Sequence, residues 1–338
     1  MFDAPRPVSC SWRQANPIFR TLLRSFSANW QIISYRHPHY DSMKLPIIFY
    51  IVAAIVTAQV VREKRADDNE HFSIDRARPL LVLAYSTYCV NVKTWNCYWC
   101  KKSDDFRLTH SFKGLEESVY GYAGVTKQNQ IVFAFRGTRI GQLKDLITDL
   151  NFFPTAPFHD AIAGALVHRG FLESYEAVRD QVVAAGIELS RKYPGSDFIV
   201  TGHSLGGAIA TLGAADLAIS AQVKNPVQLW TFGSPRVGNA AFASYMNDKY
   251  LDESFRITHD LDPIPRLPPK LFGDVQHVDR EFWFRNSTDY QRCATEDENC
   301  NEGQWGINIV DHGAYLGENF WSAEAFAAGC VLSLGGSQ

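Results

Sequence analysis

A mainly parallel β-sheet covered by helices on both faces is the fold class that the sequence predicts, and three observations predict it. Short apolar β runs alternate with helical patterns through the second half of the chain, as parallel strands and their crossovers require. One such run, Asp197-Phe198-Ile199-Val200-Thr201, leads straight into Gly202-His203-Ser204-Leu205-Gly206, after which a small-residue helical stretch continues to Ile219. The 338 residues, 46% hydrophobic and 20% charged, have a globular balance, and no repeat, low-complexity tract or Pro/Gly/Ser linker divides them after residue 66.

Taken in order, the chain opens with a segment that stands apart. Residues 1–65 hold nine Lys/Arg against three Asp/Glu, which leaves 24 against 33 in the remainder, about -9. That remainder carries no basic footprint for nucleic acid. Within the segment, Met43-Lys44 precedes an apolar run from Leu45 to Val56 and the small-residue pattern Val56-Thr57-Ala58, the form of a secretory signal peptide over 43–58. Residues 59–65 end in the dibasic pair Lys64-Arg65, so a mature chain is expected to start near Ala66. Residues 1–42 are then either a non-native extension or a cytoplasmic tail before an uncleaved signal anchor. The apolar run is short for a span, which favours cleavage and secretion.

Cysteine usage agrees. Cys10 lies upstream of the signal, leaving six: Cys89, Cys97, Cys100, Cys293, Cys300 and Cys330. An even number suits an oxidised, secreted protein. Cys97-Tyr98-Trp99-Cys100 reads as a local disulfide, since no second Cys pair or histidine is spaced to complete a metal site. Asn286-Ser287-Thr288 is a glycosylation acceptor pattern.

The catalytic-domain elements follow. "FSIDRARPLLVLAYSTYCV" predicts an early helix, and "VYGYAGVT" and "QIVFAFRGT" predict two strands joined by a polar turn. Apolar residues at 171, 175, 178, 182, 185 and 189 give helical spacing up to "KYPG". "VQLWTF" predicts a strand, "AAFASYMNDKY" a helix and "SFRITH" a strand.

A G-x-S-x-G pattern alone is weak, because composition supplies it in roughly one chain in ten of this length. The strand before it and the helix after it change its meaning. A sharp strand-to-helix turn crowds its neighbours, and glycines at the flanking positions leave the Ser204 hydroxyl exposed, while the helix start aims N–H groups at an oxyanion. A serine nucleophile needs a base and an orienting acid, which in this architecture follow in the order Ser, Asp/Glu, His. Asp262, held in a turn by Pro263 just past a strand, is favoured as the acid over Asp260. His259 precedes Asp262 and has the wrong order. Of the two later histidines, the residue pattern favours His312 but leaves His277 open.

With those residues in view, the chain resembles the class 3 lipases, the α/β-hydrolase family that includes secreted fungal triacylglycerol lipases, feruloyl esterases and nematode relatives. "IVFAFRGT", "VHRGFLESY", "VTGHSLGGA", "TFGSPRVGNAAFA", "FRITHDLDPIPRLPP" and "DHGAYLG" carry the resemblance, in family order. It implies Ser204 as nucleophile, Asp262 as acid and His312 as base, with the backbone N–H groups of Thr138 and Leu205 as the oxyanion hole. It also implies the disulfides Cys89–Cys330, Cys97–Cys100 and Cys293–Cys300, and a reaction that needs no cofactor or metal.

The family's lid falls on "RIGQLKDLITDL", whose Leu143, Leu146, Ile147 and Leu150 share one helical face. An apolar lid favours lipid esters at an oil-water or membrane interface over polar feruloylated sugars. The expected function is therefore a secreted triacylglycerol lipase, with a polar carboxylesterase or phospholipase A1 as alternatives and a catalytically dead lipid-binding protein as the non-enzyme rival. No obligate protein partner is expected.

Overall fold

The computed structural model describes residues 72–114, 120–138, 153–158, 162–220, 227–249, 254–278 and 280–331. The expected signal segment, the 59–65 stretch and the lid residues Leu143, Leu146, Ile147 and Leu150 lie outside these residues. The first helix, α1 (Ile74–Ser86), is capped by Ser73, whose hydroxyl accepts the Arg76 N–H at 3.2 Å. Its apolar side, with Leu81 and Tyr85, is fully buried.

Among the described residues eight strands form the main sheet, and their spatial order follows the chain. Antiparallel β1 (Phe106–Lys113), β2 (Tyr120–Thr126) and β3 (Ile131–Phe135) come first. Next, β4 (Phe198–His203), β5 (Val227–Phe232), β6 (Ser254–His259) and β7 (Glu281–Phe284) run parallel to β3, and β8 (Tyr290–Cys293) closes the edge antiparallel. A smaller four-stranded sheet pairs two-residue strands at Pro154–Thr155, Val167–His168, Gly238–Asn239 and Val275–Gln276.

Period-two alternation divides the core between the two faces of the sheet. Phe133, Val200 and Leu229, in register across β3, β4 and β5, belong to one cluster together with Tyr175, Leu189 and Leu212. Val132, Ile199, Trp230 and Phe255 belong to the other, with Leu81 and Tyr85 of α1. Among the described residues the other α-helices are α2 (Arg169–Glu176), α3 (Arg179–Lys192), α4 (Leu205–Ser220), α5 (Ala240–Lys249) and α6 (Ala323–Ala327).

The apolar spacing from Phe171 to Leu189 predicts one helix, whereas the structure has two, α2 and α3. Val178 leaves helical geometry with ψ of -2° while its side chain stays in the core, so the spacing survives a break that it does not reveal. Across the break, Tyr175 and Arg179 both reach Asp216 of α4, at 2.8 Å each. That fully buried carboxylate is tolerable only because a cation and two hydroxyls meet it.

Three disulfides join Cys89 to Cys330, Cys97 to Cys100 and Cys293 to Cys300, the pairs that the resemblance implies. The first ties the segment just after α1 to the segment just after α6. No helix among the described residues is long and apolar enough to cross a membrane.

Candidate active site

Ser204 occupies the single-residue turn between β4 and α4, with φ of 61° in the left-handed region. Its own N–H donates to the Phe232 carbonyl at the end of β5, and its carbonyl accepts from Gly207, which fix the turn from both sides. There is no room for side chains at the flanking glycines: a Cβ at Gly202 would lie 2.1 Å from the Gly206 carbonyl oxygen, and one at Gly206 would lie 2.3 Å from the Phe135 oxygen. The sequence therefore makes a tight strand-to-helix turn here, with the geometry that a nucleophile elbow requires, and α4 begins with Leu205 directly after the serine.

Asp262 lies in the loop after β6 and is fully buried. Its Oδ1 accepts the Ile264 N–H at 2.9 Å, and its Oδ2 accepts from His312 Nδ1 at 2.8 Å and from the Tyr315 hydroxyl. Burial, followed by the Asp262 charge, pushes the Tyr315 phenol well above its usual range, so it keeps its proton and donates. A carboxylate only accepts, so His312 carries hydrogen on Nδ1 and leaves the Nε2 lone pair available as a base. His312 itself sits in a 3₁₀ turn, Asp311–Gly313. Asp311 braces that turn by accepting the Leu261 N–H at 3.2 Å and the Asn308 amide at 2.9 Å.

Thr138 is half-buried in the loop after β3. That loop packs on the elbow: a Cβ at Gly137 would stand 3.0 Å from Ser204 Cβ. Gly233, with φ of 60°, lies against Asp262 and His312; a Cβ there would stand 2.9 Å from Asp262 Oδ2, from His312 Nδ1 and from the Tyr315 oxygen alike. Ser204 Oγ, His312 Nε2 and Thr138 Oγ1 are buried and lack a hydrogen-bond partner among the described residues. An arrangement that holds a base by its far nitrogen and leaves its near nitrogen and a serine hydroxyl unengaged is equipped for acyl transfer.

The comparisons with known proteins point the same way. The family model described as Lipase (class 3) matches residues 132–272. A lipase from Rhizomucor miehei is 32% identical over 248 residues, covering 70% of this chain and 67% of that protein. Secreted mono- and diacylglycerol lipase 1 of Fusarium solani is 35% identical over 231 residues, covering 65% of this chain and 66% of that protein. The aligned stretch thus spans about two thirds of the length of these curated relatives. A solved triacylglycerol lipase, described as having a serine protease triad at its catalytic centre, superposes with a TM-score of 0.67 at 30% identity, covering 73% of this chain and 95% of that one.

The chain belongs to the class 3 lipases.

In this family member the rival histidines lie elsewhere. His277 is buried, with Nε2 donating to the Pro265 carbonyl at 2.7 Å; burial, then the Arg256 charge, presses its pKa well below the ordinary value. His259 is half-buried at the end of β6, with Nδ1 3.2 Å from the Asp311 carbonyl, a brace behind the His312 turn. Asp260 presents its backbone rather than its carboxylate: its carbonyl accepts from Trp283 Nε1 and from Asn301. The sulfurs of Cys89, Cys97 and Cys330 lie within 4.8 Å of one another, yet all three are in disulfides and none is a thiolate ligand. Asn286 is exposed in the β7–β8 hairpin, with Oδ1 accepting the N–H groups of Thr288 and Asp289.

Two residues that shape the site were not read from the sequence: Tyr315 and Gly233. Tyr315 stands three residues after His312, and Gly233 directly follows the β5 strand. A residue just past a strand end in this architecture is the signal that bears on Gly233.

Proposed function

We propose that this protein is a secreted serine ester hydrolase that cleaves acylglycerols through an acyl-enzyme. The observation that carries the reading is the buried 2.8 Å contact of His312 Nδ1 with Asp262, at the same site as a left-handed Ser204 whose hydroxyl is unengaged among the described residues.

In the first half-reaction Ser204 Oγ attacks the ester carbonyl as its proton passes to His312 Nε2. Asp262 stabilises the imidazolium and keeps the ring oriented. The oxyanion meets the N–H groups of Thr138 and Leu205, with the Thr138 hydroxyl as a third donor. The imidazolium then protonates the departing alcohol, and water repeats the sequence on the acyl-enzyme. Acylglycerol as substrate rests on the relatives described as triacylglycerol and mono- and diacylglycerol lipases. Secretion rests on the 43–58 signal pattern and three disulfides, which persist in oxidising compartments. The mature catalytic domain then starts near Ala66.

Ser204→Ala tests the chemistry. It is expected to lower kcat by about 10⁵–10⁶-fold while the thermal midpoint stays within a few degrees, and a folded variant that still turns over would sink the assignment. Emulsified triacylglycerol, monoacylglycerol and a feruloyl ester, compared by kcat/KM, test the substrate class; preference for the feruloyl ester would reverse it.

A further inference from the structure

Behind the reacting groups runs a buried chain of hydrogen bonds that the acyl-transfer steps do not use. The Gly137 N–H donates to the Tyr88 hydroxyl at 3.1 Å. That hydroxyl lies 3.1 Å from His203 Nδ1 and 3.2 Å from the His203 carbonyl, and His203 Nε2 lies 2.6 Å from the His312 carbonyl. Elimination fixes the direction of each bond. A carbonyl only accepts, so the hydrogen of His203 is on Nε2. In a neutral ring Nδ1 is then bare, and the single Tyr88 O–H, whose oxygen already receives the Gly137 N–H, is shared between two acceptors of His203, Nδ1 and the carbonyl.

Both conditions for this direction hold. Burial, and then the neighbouring His312, press the His203 pKa well below its ordinary value, so the ring is neutral. Burial likewise raises the Tyr88 phenol above its usual range, so it retains its proton. The His203 and His312 rings lie 4.5 Å apart between centroids at 35°. A cation at His203 would oppose the imidazolium that His312 must become, and a neutral ring does not.

We propose that His203 is a positioning residue for the base: by donating to the His312 carbonyl and accepting from Tyr88, it ties the backbones carrying Thr138, Ser204 and His312 into one unit. Its place in the chain makes the tie effective. His203 is the residue before Ser204 and Gly137 the residue before Thr138, so a shift of base against nucleophile or oxyanion donor has to break a bond in this chain. The inference rests on the acyl-transfer reading, and extends it to a residue that touches no substrate.

The test uses a soluble short-chain ester and the secreted protein, with active sites counted by titration with a phosphonate ester run to its endpoint. His203→Phe keeps a ring and removes both nitrogens; it is expected to lower kcat about 100-fold, the cost of a misplacement near 1 Å, with KM within about threefold. His203→Gln returns a donor near the Nε2 position and is expected to recover at least about tenfold of that loss, whereas a purely packing role predicts no rescue. Where His203→Phe fails to fold, Tyr88→Phe, which deletes one oxygen, is expected to lower kcat roughly tenfold at unchanged KM. Unchanged kcat in folded His203→Phe or Tyr88→Phe, or a Gln variant no faster than Phe, overturns the proposal. Failure of the phosphonate to titrate the unsubstituted protein overturns the acyl-transfer reading instead.

Discussion

Two buried polar clusters, one around Arg236 in the loop after β5 and one around Asp262 in the loop after β6, differ in whether their hydrogen-bonding groups are engaged. Arg236 occupies all three of its nitrogens: Nε and Nη2 with Glu296, Nη2 also with Glu302, and Nη1 with the carbonyls of Arg266 and Pro268. Glu296 additionally accepts the His277 N–H at 2.9 Å. At the Ser204 site, by contrast, Asp262 is saturated, while Ser204 Oγ, His312 Nε2 and Thr138 Oγ1 are not engaged among the described residues. Leaving a buried polar group unengaged has a free-energy cost, of order 1–3 kcal/mol each. The saturated cluster fixes the position of loops, whereas the unsaturated atoms retain capacity for a reacting ester.

Four perturbations sharpen or break this contrast. Asp262→Asn keeps the shape of the acid but replaces its acceptor with an amide, so His312 adopts the wrong tautomer; kcat is expected to fall about 10⁴-fold with KM little changed. A loss of only a few-fold would mean that the carboxylate is merely part of the packing. Arg236→Met acts on the other cluster. It leaves Glu296 and Glu302 with Lys270, whose Nζ stands 3.4 and 3.5 Å from them, as their cation, and is expected to reduce unfolding free energy by about 2–4 kcal/mol in urea titrations, while molecules that remain folded keep kcat within a few-fold. If activity fell in step with the Asp262 variant, the two clusters would not be separable.

Gly233→Ala comes next. Its Cβ meets the acid, the base and Tyr315 at 2.9 Å each on a backbone that disfavours side chains, so kcat is expected to drop by up to about 100-fold. The smallest effect is a pH effect. Burial raises the Glu296 carboxyl pKa, but the hydrogen bonds and charge of the Arg236 guanidinium and the His277 backbone N–H hold it well below the usual range. A depressed folded value contributes stability that is fully present above the unfolded carboxylate pKa of about 4.3 and is lost as pH falls through the folded value. Glu296→Gln is therefore expected to lower stability at pH 7 and to flatten the acid-side decline below about pH 4. Parallel stability curves for the two proteins would remove Glu296 from the account.

The legible parts of the fold were those set by local pattern. The Phe198–His203 strand, the Ser204 turn and the helix from Leu205 follow from β periodicity, crowding glycines and a small-residue run, all within about twenty residues. The choice between His312 and His277 was not legible from the residue pattern alone. Both sit in loops, and their contrasting partners, Asp262 for one and the Pro265 carbonyl for the other, are brought to them by folding. The same reason hides the Tyr88–His203–His312 connection, which joins residues more than 100 positions apart. The break at Val178 was invisible for the opposite reason: its side chain obeys the helical spacing while its backbone departs from it.

The left-handed backbone at Ser204 also limits how this scaffold is redesigned. Cysteine, with one substituent on Cβ, has the same steric demand as serine at φ of 61°, so a thiol ester intermediate is within reach of a single exchange. Threonine, branched at Cβ, is disfavoured in that region, and N-terminal threonine chemistry has no entry at an internal turn. The turn thus acts as a filter on which nucleophiles a laboratory lineage starting from this sequence can sample.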